Sequence, residues 1–467
     1  MTTCGNGCPP GAQAMTPRTD SCFLDSLTVT SFFGSAEMRA IFNDRSLMQA
    51  WLDVEGALAR AQAGLGLIPR EAATTISRSA RIEQLDMAGI AAAASATAHP
   101  LVPLIRALVD RCGPSAGGFV HLGATTQDVM DTGFVLRIRD GLVVLERQTA
   151  ELCRALRTLA IRHRGTPMAG RTHGQQALPT TFGLRVAGWY DEMRRHGSRL
   201  REMKPRLLVG SFGGAVGTLA GYGPKALELR DAFMRELGLG VPATSWHANQ
   251  DRFAECIALL GMLASTAEKI AREVYLLGRT EIGEASEPQG AKQVGSSTMP
   301  HKQNPIRSEA IIGAAATLRA QVPLGLAAMV AQDDRDMGTG MVLWKLVPEA
   351  FILIGGIFER LNQVVGDLRV DTARMAANLR LSGGLIVSEA VMLELARSLG
   401  REEAHHVVTD AARRSVEQRR PFSTCLREHP ALAGRLSTSE LDALLDPDAY
   451  LGQAGEIVDR VLLQGEA

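Results

Sequence analysis

The chain has 467 residues, 50 Lys plus Arg against 50 Asp plus Glu, and 46% apolar residues, enough for two to three domains and a large core. Balanced charge offers no field for nucleic acid or an anionic membrane, which leaves small molecules as the expected partners. Aromatic residues make up only 4%, so Ala, Leu, Val, Ile and Met must fill the interior, which suits packed helices.

Residues 1–20 hold Cys4, Cys8, three prolines and three glycines. They read as a disordered tail, since no basic start precedes an apolar run as in a secretory signal. Cys4, Cys8 and Cys22 lack a fourth local ligand and a zinc spacing. The seven cysteines are an odd number. Cys153 and Cys256 lie in apolar helical patterns, so a reduced cytoplasmic protein is expected rather than a disulfide framework.

Residues 21–122 are expected to form an N-terminal helical domain, with one helix over about 46–65. Near its end, Thr97-Ala98-His99-Pro100 leaves two uses open for His99, capping a helix start or touching a substrate. His121-Leu122-Gly123-Ala124-Thr125-Thr126-Gln127-Asp128 then sets hydroxyls and an amide beside glycine, directly ahead of a helix. Free amides and a helix dipole suit a carboxylate there. N-capping by Thr126 or Asp128 is the plainer alternative.

Residues 123–366 carry long apolar seams at three- and four-residue steps, over about 140–161, 180–203, 249–277, 305–329 and 342–365. Helices of that length imply a bundle whose apolar faces need partners. The segments 165–179, 207–224 and 278–305 between them read as loops. A structureless run as long as the last is expected to be functional. The glycines of 210–218 lack a βαβ context and the Lys-Ser/Thr of a phosphate loop, so they read as an inter-helix turn. The most apolar window, Met341 to Phe358, carries Lys345, Pro348 and Glu349, which favours a buried helix over a membrane span. Residues 367–467 shift to shorter helices with caps at Asp371 or Thr372 and at Gly400, a C-terminal helical domain.

Three separated loops hold the suggestive polar residues: the one at 121–128, Gly170-Arg171-Thr172-His173-Gly174-Gln175-Gln176, and Gly295-Ser296-Ser297-Thr298-Met299-Pro300-His301-Lys302-Gln303-Asn304-Pro305. The third closely resembles the signature loop of the fumarase/aspartase superfamily, in the form used by adenylosuccinate lyases and bacterial 3-carboxy-cis,cis-muconate cycloisomerases. The order and spacing of all three loops extend the resemblance over about residues 20–465. The Thr172-His173 pair is similar to the adenylosuccinate lyases. The runs 381–390 and 446–452 are similar to the cycloisomerases, which generally carry Trp in place of His173 and a tryptophan-rich segment after position 335, where this chain has only Trp344 nearby.

The resemblance implies an all-α fold of three helical domains. It also implies a homotetramer whose long central helices form a shared bundle, with each site built from three subunits. It implies anti elimination beside a carboxylate of a small di- or tricarboxylate. Ser296 would be the base as an alkoxide, kept charged by amides and by Lys302, and Ser297 is its rival. Lys302 and Asn304 would hold the substrate carboxylate as its second charge develops. His173 would protonate the leaving group, with Glu309 fixing its tautomer; read alone, Glu309 is a first-turn acid of a helix. Thr125, Thr126, Gln127, Thr172, Gln175 and Met299 are expected substrate contacts. Arg335, in Gln332-Asp333-Asp334-Arg335-Asp336, would clamp a second carboxylate, although a solvated charge cluster is the plainer reading of that run.

No metal or organic cofactor is expected. The first reading is a carbon–nitrogen lyase releasing fumarate from an N-substituted aspartate or related succinyl compound. A muconate cycloisomerase is the alternative, and a crystallin-like structural protein the non-enzymatic one.

Overall fold

The computed structural model describes residues 26, 29–290, 298–299 and 301–464. Ahead of the bundle come α1 (Asp44–Gly64) and α2 (Val102–Cys112). Five long helices follow: α3 (Thr126–Arg162), α4 (Phe182–Leu207), α5 (Asp251–Leu277), α6 (Ile306–Ala327) and α7 (Met337–Gly366). α3 packs on α4 and α7, and α5 packs on α4, α6 and α7. Consecutive members run mostly antiparallel, which sorts their ends into two poles.

α3 begins well before the expected 140. Val129, Phe134, Val135 and Ile138 extend its buried seam, but Asp131 and Arg137 interrupt the apolar pattern. Arg137 is itself buried. Its Nε donates to the Ile41 carbonyl at 2.9 Å and its guanidinium lies 5.0 Å from the Phe42 ring centre. A long side chain can enter a core when its charged head is bonded and stacked, and periodicity does not register this.

The segment expected as a loop over 165–179 is instead an antiparallel hairpin of β1 (Pro167–Thr172) and β2 (Gln175–Thr181), with Thr172 opposite Gln175. His173 and Gly174 form its turn at φ of +52° and +75°. A two-residue turn with both φ positive matches the twist of the strands. Its strands are short and polar and include Pro179, so they show no alternation to read. A second small pair joins β3 (Ala285–Ser286) to β4 (Arg369–Val370).

Among the described residues two helices, α6 and α7, are long and apolar enough to cross a membrane by length and composition. α7 is mostly buried in the bundle, whereas only 28% of the apolar window of α6 is buried. Leu324, Leu326, Met329 and Val330, at and beyond the end of α6, are exposed. A helix apolar on all sides belongs in an interior, so α6 is under-covered within one chain.

After β4, α8 (Thr372–Leu379) is capped by Asp371, which accepts from the Arg374 amide at 2.8 Å. Beyond it, Val391, Leu395, Val407, Phe422 and Leu426 form a core of their own.

Candidate active site

At the first pole, Thr125 caps α3 and Asp128 completes a capping box. The Asp128 carboxylate is buried and accepts from the amides of Gly213 at 2.8 Å and Gly214 at 3.0 Å, and it meets His247 Nε2 at 2.9 Å. The glycine-rich turn is thereby fixed against α3, and Asp128 is structural. Nearby, His121 Nδ1 lies 2.6 Å from Glu55 Oε1. Burial opposes the charged imidazole, but the Glu55 hydrogen bond and charge outweigh it and raise the His121 pKa.

His99, Thr126, Gln127 and Arg335, all expected from sequence, line one cavity of roughly 110 Å³ with Met130, Asp131, Phe134, Gln250, Phe253, Met341 and Trp344. His99 Nδ1 accepts from the amides of Leu101 at 3.3 Å and Val102 at 3.2 Å, so the proton of the neutral ring sits on Nε2. Both uses considered for His99 therefore coexist: it bonds the start of α2 and lines the cavity. Gln127 Nε2 donates to the His247 carbonyl and to Asp131 Oδ2, each at 3.1 Å. Arg335 Nη2 donates to the Ala215 carbonyl at 2.7 Å. Burial pushes the Asp131 carboxyl up to about 7, against the pull of His247, Gln127 and Arg335.

At the second pole, His173 stands exposed at the hairpin tip, flanked by exposed Thr172 and Gln175. The hairpin base is tightly held. Arg171 grips the buried Glu284 with two bonds, 2.9 and 2.6 Å, and Asn378 Nδ2 donates to the same carboxylate at 2.8 Å. Gln176, on the other strand, donates to the Asn378 carbonyl at 2.9 Å. Buried Glu287 accepts from the amides of Arg307 and Ser308 at 3.0 and 2.9 Å and from the Ser308 hydroxyl at 2.9 Å, capping the start of α6. Met299, Lys302 and Glu309 are exposed and Asn304 is half-buried. Ser296 and Ser297 lie outside the described residues.

The two poles are far apart in one chain. α3 alone has 37 residues, about 55 Å at 1.5 Å per residue. The first loop, His99 and Arg335 meet at the N-terminal end of α3, while His173 sits on a hairpin that follows the C-terminal end of α3 and is tied to Glu284 and Asn378. Among the described residues no hydrogen bond joins His173 to Glu309, and no group of three or more His, Cys, Asp or Glu side chains could hold a metal ion.

Sequence reasoning missed Asp131, Gln250, Glu284 and Asn378. Each is a lone polar residue in or beside a helix, and only the fold turns it inward. The one legible hint was Arg171, a cation directly before the Thr-His pair that invited a search for a carboxylate.

A family model described as lyase matches residues 34–319, and one for the adenylosuccinate lyase C-terminus matches residues 384–461. The chain is 44% identical to the 3-carboxy-cis,cis-muconate cycloisomerase of Pseudomonas aeruginosa, over 94% of this chain and 96% of that one. It is 39% identical to the N-acetyl-S-(2-succino)cysteine lyase of Dickeya dadantii, over 95% and 97%. The crystal structure of a fumarate lyase from Mesorhizobium is similar at a TM-score of 0.87 and 40% identity, covering 92% of this chain and 98% of that one.

Proposed function

Since the chain belongs to the fumarase/aspartase superfamily of lyases, within the adenylosuccinate lyase and muconate cycloisomerase branch, we propose that it releases fumarate by anti β-elimination from an N-substituted aspartate or a related succinyl compound in the cytoplasm. Ser296, as an alkoxide, takes the proton from the carbon beside a carboxylate. Lys302 and Asn304 hold that carboxylate while its second negative charge develops. The electron pair then forms the alkene and the bond to the leaving heteroatom breaks. His173 gives that atom a proton, Glu309 holds the imidazole in the required tautomer, and Arg335 clamps the other carboxylate.

His173 carries this reading. An imidazole at the tip of a hairpin anchored by the pair of part-buried Arg171 and buried Glu284 suits proton donation to a departing group, and the cycloisomerases generally have tryptophan at that place. The separation of the two poles supports a site drawn from several copies, three in a homotetramer, with the thinly covered α6 as part of the shared bundle. Sedimentation giving a fully active monomer would refute the assembly.

The cycloisomerase is the second reading, favoured by the 44% identity to such an enzyme and by the runs 381–390 and 446–452. The test incubates fumarate with a panel of amines and thiols, beside 3-carboxy-cis,cis-muconate, and reads the products by mass spectrometry. Adducts of fumarate are expected; turnover of the muconate alone would overturn the first reading.

A further inference from the structure

A second and larger cavity, roughly 780 Å³, lies between the flanks of α3 and α4. On α3 it is lined at three- and four-residue steps by Glu146, Ala150, Cys153, Arg154 and Arg157, and on α4 by Tyr190, Arg194, Gly197, Arg201 and Lys204. Such steps place each set on one helix face, and the two helices pack on each other. Two small residues keep the groove open at its middle. Ala150 is exposed, and a Cβ added at Gly197 would meet only an Arg201 nitrogen, at 3.9 Å. The size falls within the about 300–1,000 Å³ of small-molecule sites.

The charge of this groove sets it apart. The whole chain balances 50 cationic against 50 anionic residues, yet the lining holds Arg154, Arg157, Arg194, Arg201 and Lys204 against the single carboxylate of Glu146. Glu146 is already engaged, since Lys204 Nζ donates to its two oxygens at 3.1 and 2.9 Å. Asp191, outside the lining, faces Arg194 at 3.5 Å but is shared with Arg195. Arg201 Nη2 donates to the neutral Ser198 hydroxyl at 3.1 Å, and Arg194 Nη1 to the Gln464 carbonyl at 3.3 Å. These arginines are therefore positioned by local bonds while their charge is not matched within the lining.

A cleft of one sign concentrates counter-ions, and planar guanidinium forks fit phosphate or carboxylate oxygens two at a time. Glu146 to Arg157 spans only about 17 Å of α3 at 1.5 Å per residue. With no wider positive field on a neutral chain, a nucleic acid is a poor match. An isologous contact between two copies would set this patch against itself, where like charges repel. A small anion is the occupant that the charge favours.

We propose that this groove is a second binding site, for a compact small molecule carrying three or more negative charges on phosphate or carboxylate groups. It is distinct from the candidate active site: it shares no lining residue with the cavity of His99 and Arg335, and Thr126 and Glu146 are about 30 Å apart along α3. The anion bridges α3 and α4, so its binding stabilises the bundle.

The test titrates the full chain with tripolyphosphate and, separately, with citrate, at one ionic strength held with sodium chloride. Calorimetry reads affinity and thermal unfolding reads stability. At least one of the two should bind saturably, one per chain, and raise Tm by about 2–5 °C at a hundredfold excess over Kd. Whichever binds more tightly identifies the phosphate or the carboxylate source. Arg154→Gln with Arg201→Gln should weaken that binding about tenfold or more and leave kcat and KM within about twofold. Both side chains are exposed on helix surfaces, so the fold should tolerate the change. Arg335→Met, at the other cavity, should leave anion affinity unaltered. Absence of saturable binding by both probes would overturn the proposal without any variant, as would binding that survives the double change or is lost in Arg335→Met.

Discussion

At the N-terminal end of α3 the polar groups are sunk among apolar walls, with His99, Gln127 and Gln250 each fixed by backbone partners. At the other end His173 projects into solvent, and only the base of its hairpin is rigid, through Arg171, Glu284 and Asn378. The first end is a partly open cavity, rimmed by exposed Met337 and Met341, that can select a ligand by shape and hydrogen bonding. The second holds a side chain in position but does not exclude water, and charge stabilisation is strong only where water is kept out. The contrast teaches that one end can bind part of a ligand within a single chain, whereas the other, under the proposed assembly, needs a surface that another copy supplies.

The sharpest way to break this division is His173→Gln. Loss of a positioned acid typically costs about 10²–10⁴ in rate, so kcat should fall by that factor while affinity at the cavity stays within about threefold. Steady-state kinetics beside calorimetry will show this, and a change confined to KM would refute the division. A mixing experiment sharpens it further. Arg335→Met spoils the cavity end, and His173→Gln spoils the exposed one. If each site joins ends from different copies, subunits of the two inactive variants, exchanged at random, should regain up to about a quarter of native activity. Homogeneous samples of either variant should stay inactive, and no recovery in the mixture would mean that both ends serve a site within one chain.

Much of this arrangement could be read beforehand. The seams of α4, α5, α6 and α7 were visible at helical spacing, because each presents an apolar face to the bundle. His99, Thr126, Gln127 and Arg335 were expected near a ligand, and they share one cavity. The hairpin was not seen, because its fold rests on two positive φ angles at His173 and Gly174 rather than on alternation. The start of α3 was hidden by Arg137, a charge made tolerable by one carbonyl and one ring. Glu284 and Gln250 were invisible for a related reason: burial of a polar side chain depends on partners distant in sequence, Arg171 and Asn378 for one and His247 with the cavity for the other.

Glu284→Gln tests the rigid base of the exposed end. The replacement keeps the shape but removes the negative charge that faces the part-buried Arg171 guanidinium. Breaking such a pair costs up to about 3–5 kcal/mol, so a loss of about 2–3 kcal/mol is expected in chemical denaturation. Rate should fall with it because His173 is no longer held, and the cavity's affinity should not. Loss of affinity at the far end would show that the poles are coupled through the bundle.

The smallest effects are two opposed pH dependences, one in the bundle core and one in the cavity. His196 is buried between α4 and α5, its Nε2 2.9 Å from the Thr266 hydroxyl, which donates to Glu192 at 2.7 Å. The Thr266 proton is thus used, so Nε2 carries the ring's proton, and Arg199 faces Nδ1, where a second proton would have to go. Burial first and Arg199 next push its pKa down to about 4. Its contribution is fully present above the unfolded value near 6.5 and is lost as pH falls toward 4. Asp131 runs the other way: with its carboxyl raised to about 7, its contribution is present below the unfolded value near 3.9 and is lost as pH rises through 7. The variants should separate the two contributions as changes in the wild-type slope between pH 4 and 6.5. Relative to wild type, His196→Gln should shift stability toward decline with rising pH over that window, and Asp131→Asn toward increase, each by about 2 kcal/mol. Denaturant midpoints at pH 4.5 and 6.5 measure both. Of these two variants only Asp131→Asn should also change the pH dependence of ligand affinity near neutrality, because Asp131 lines the cavity and His196 does not.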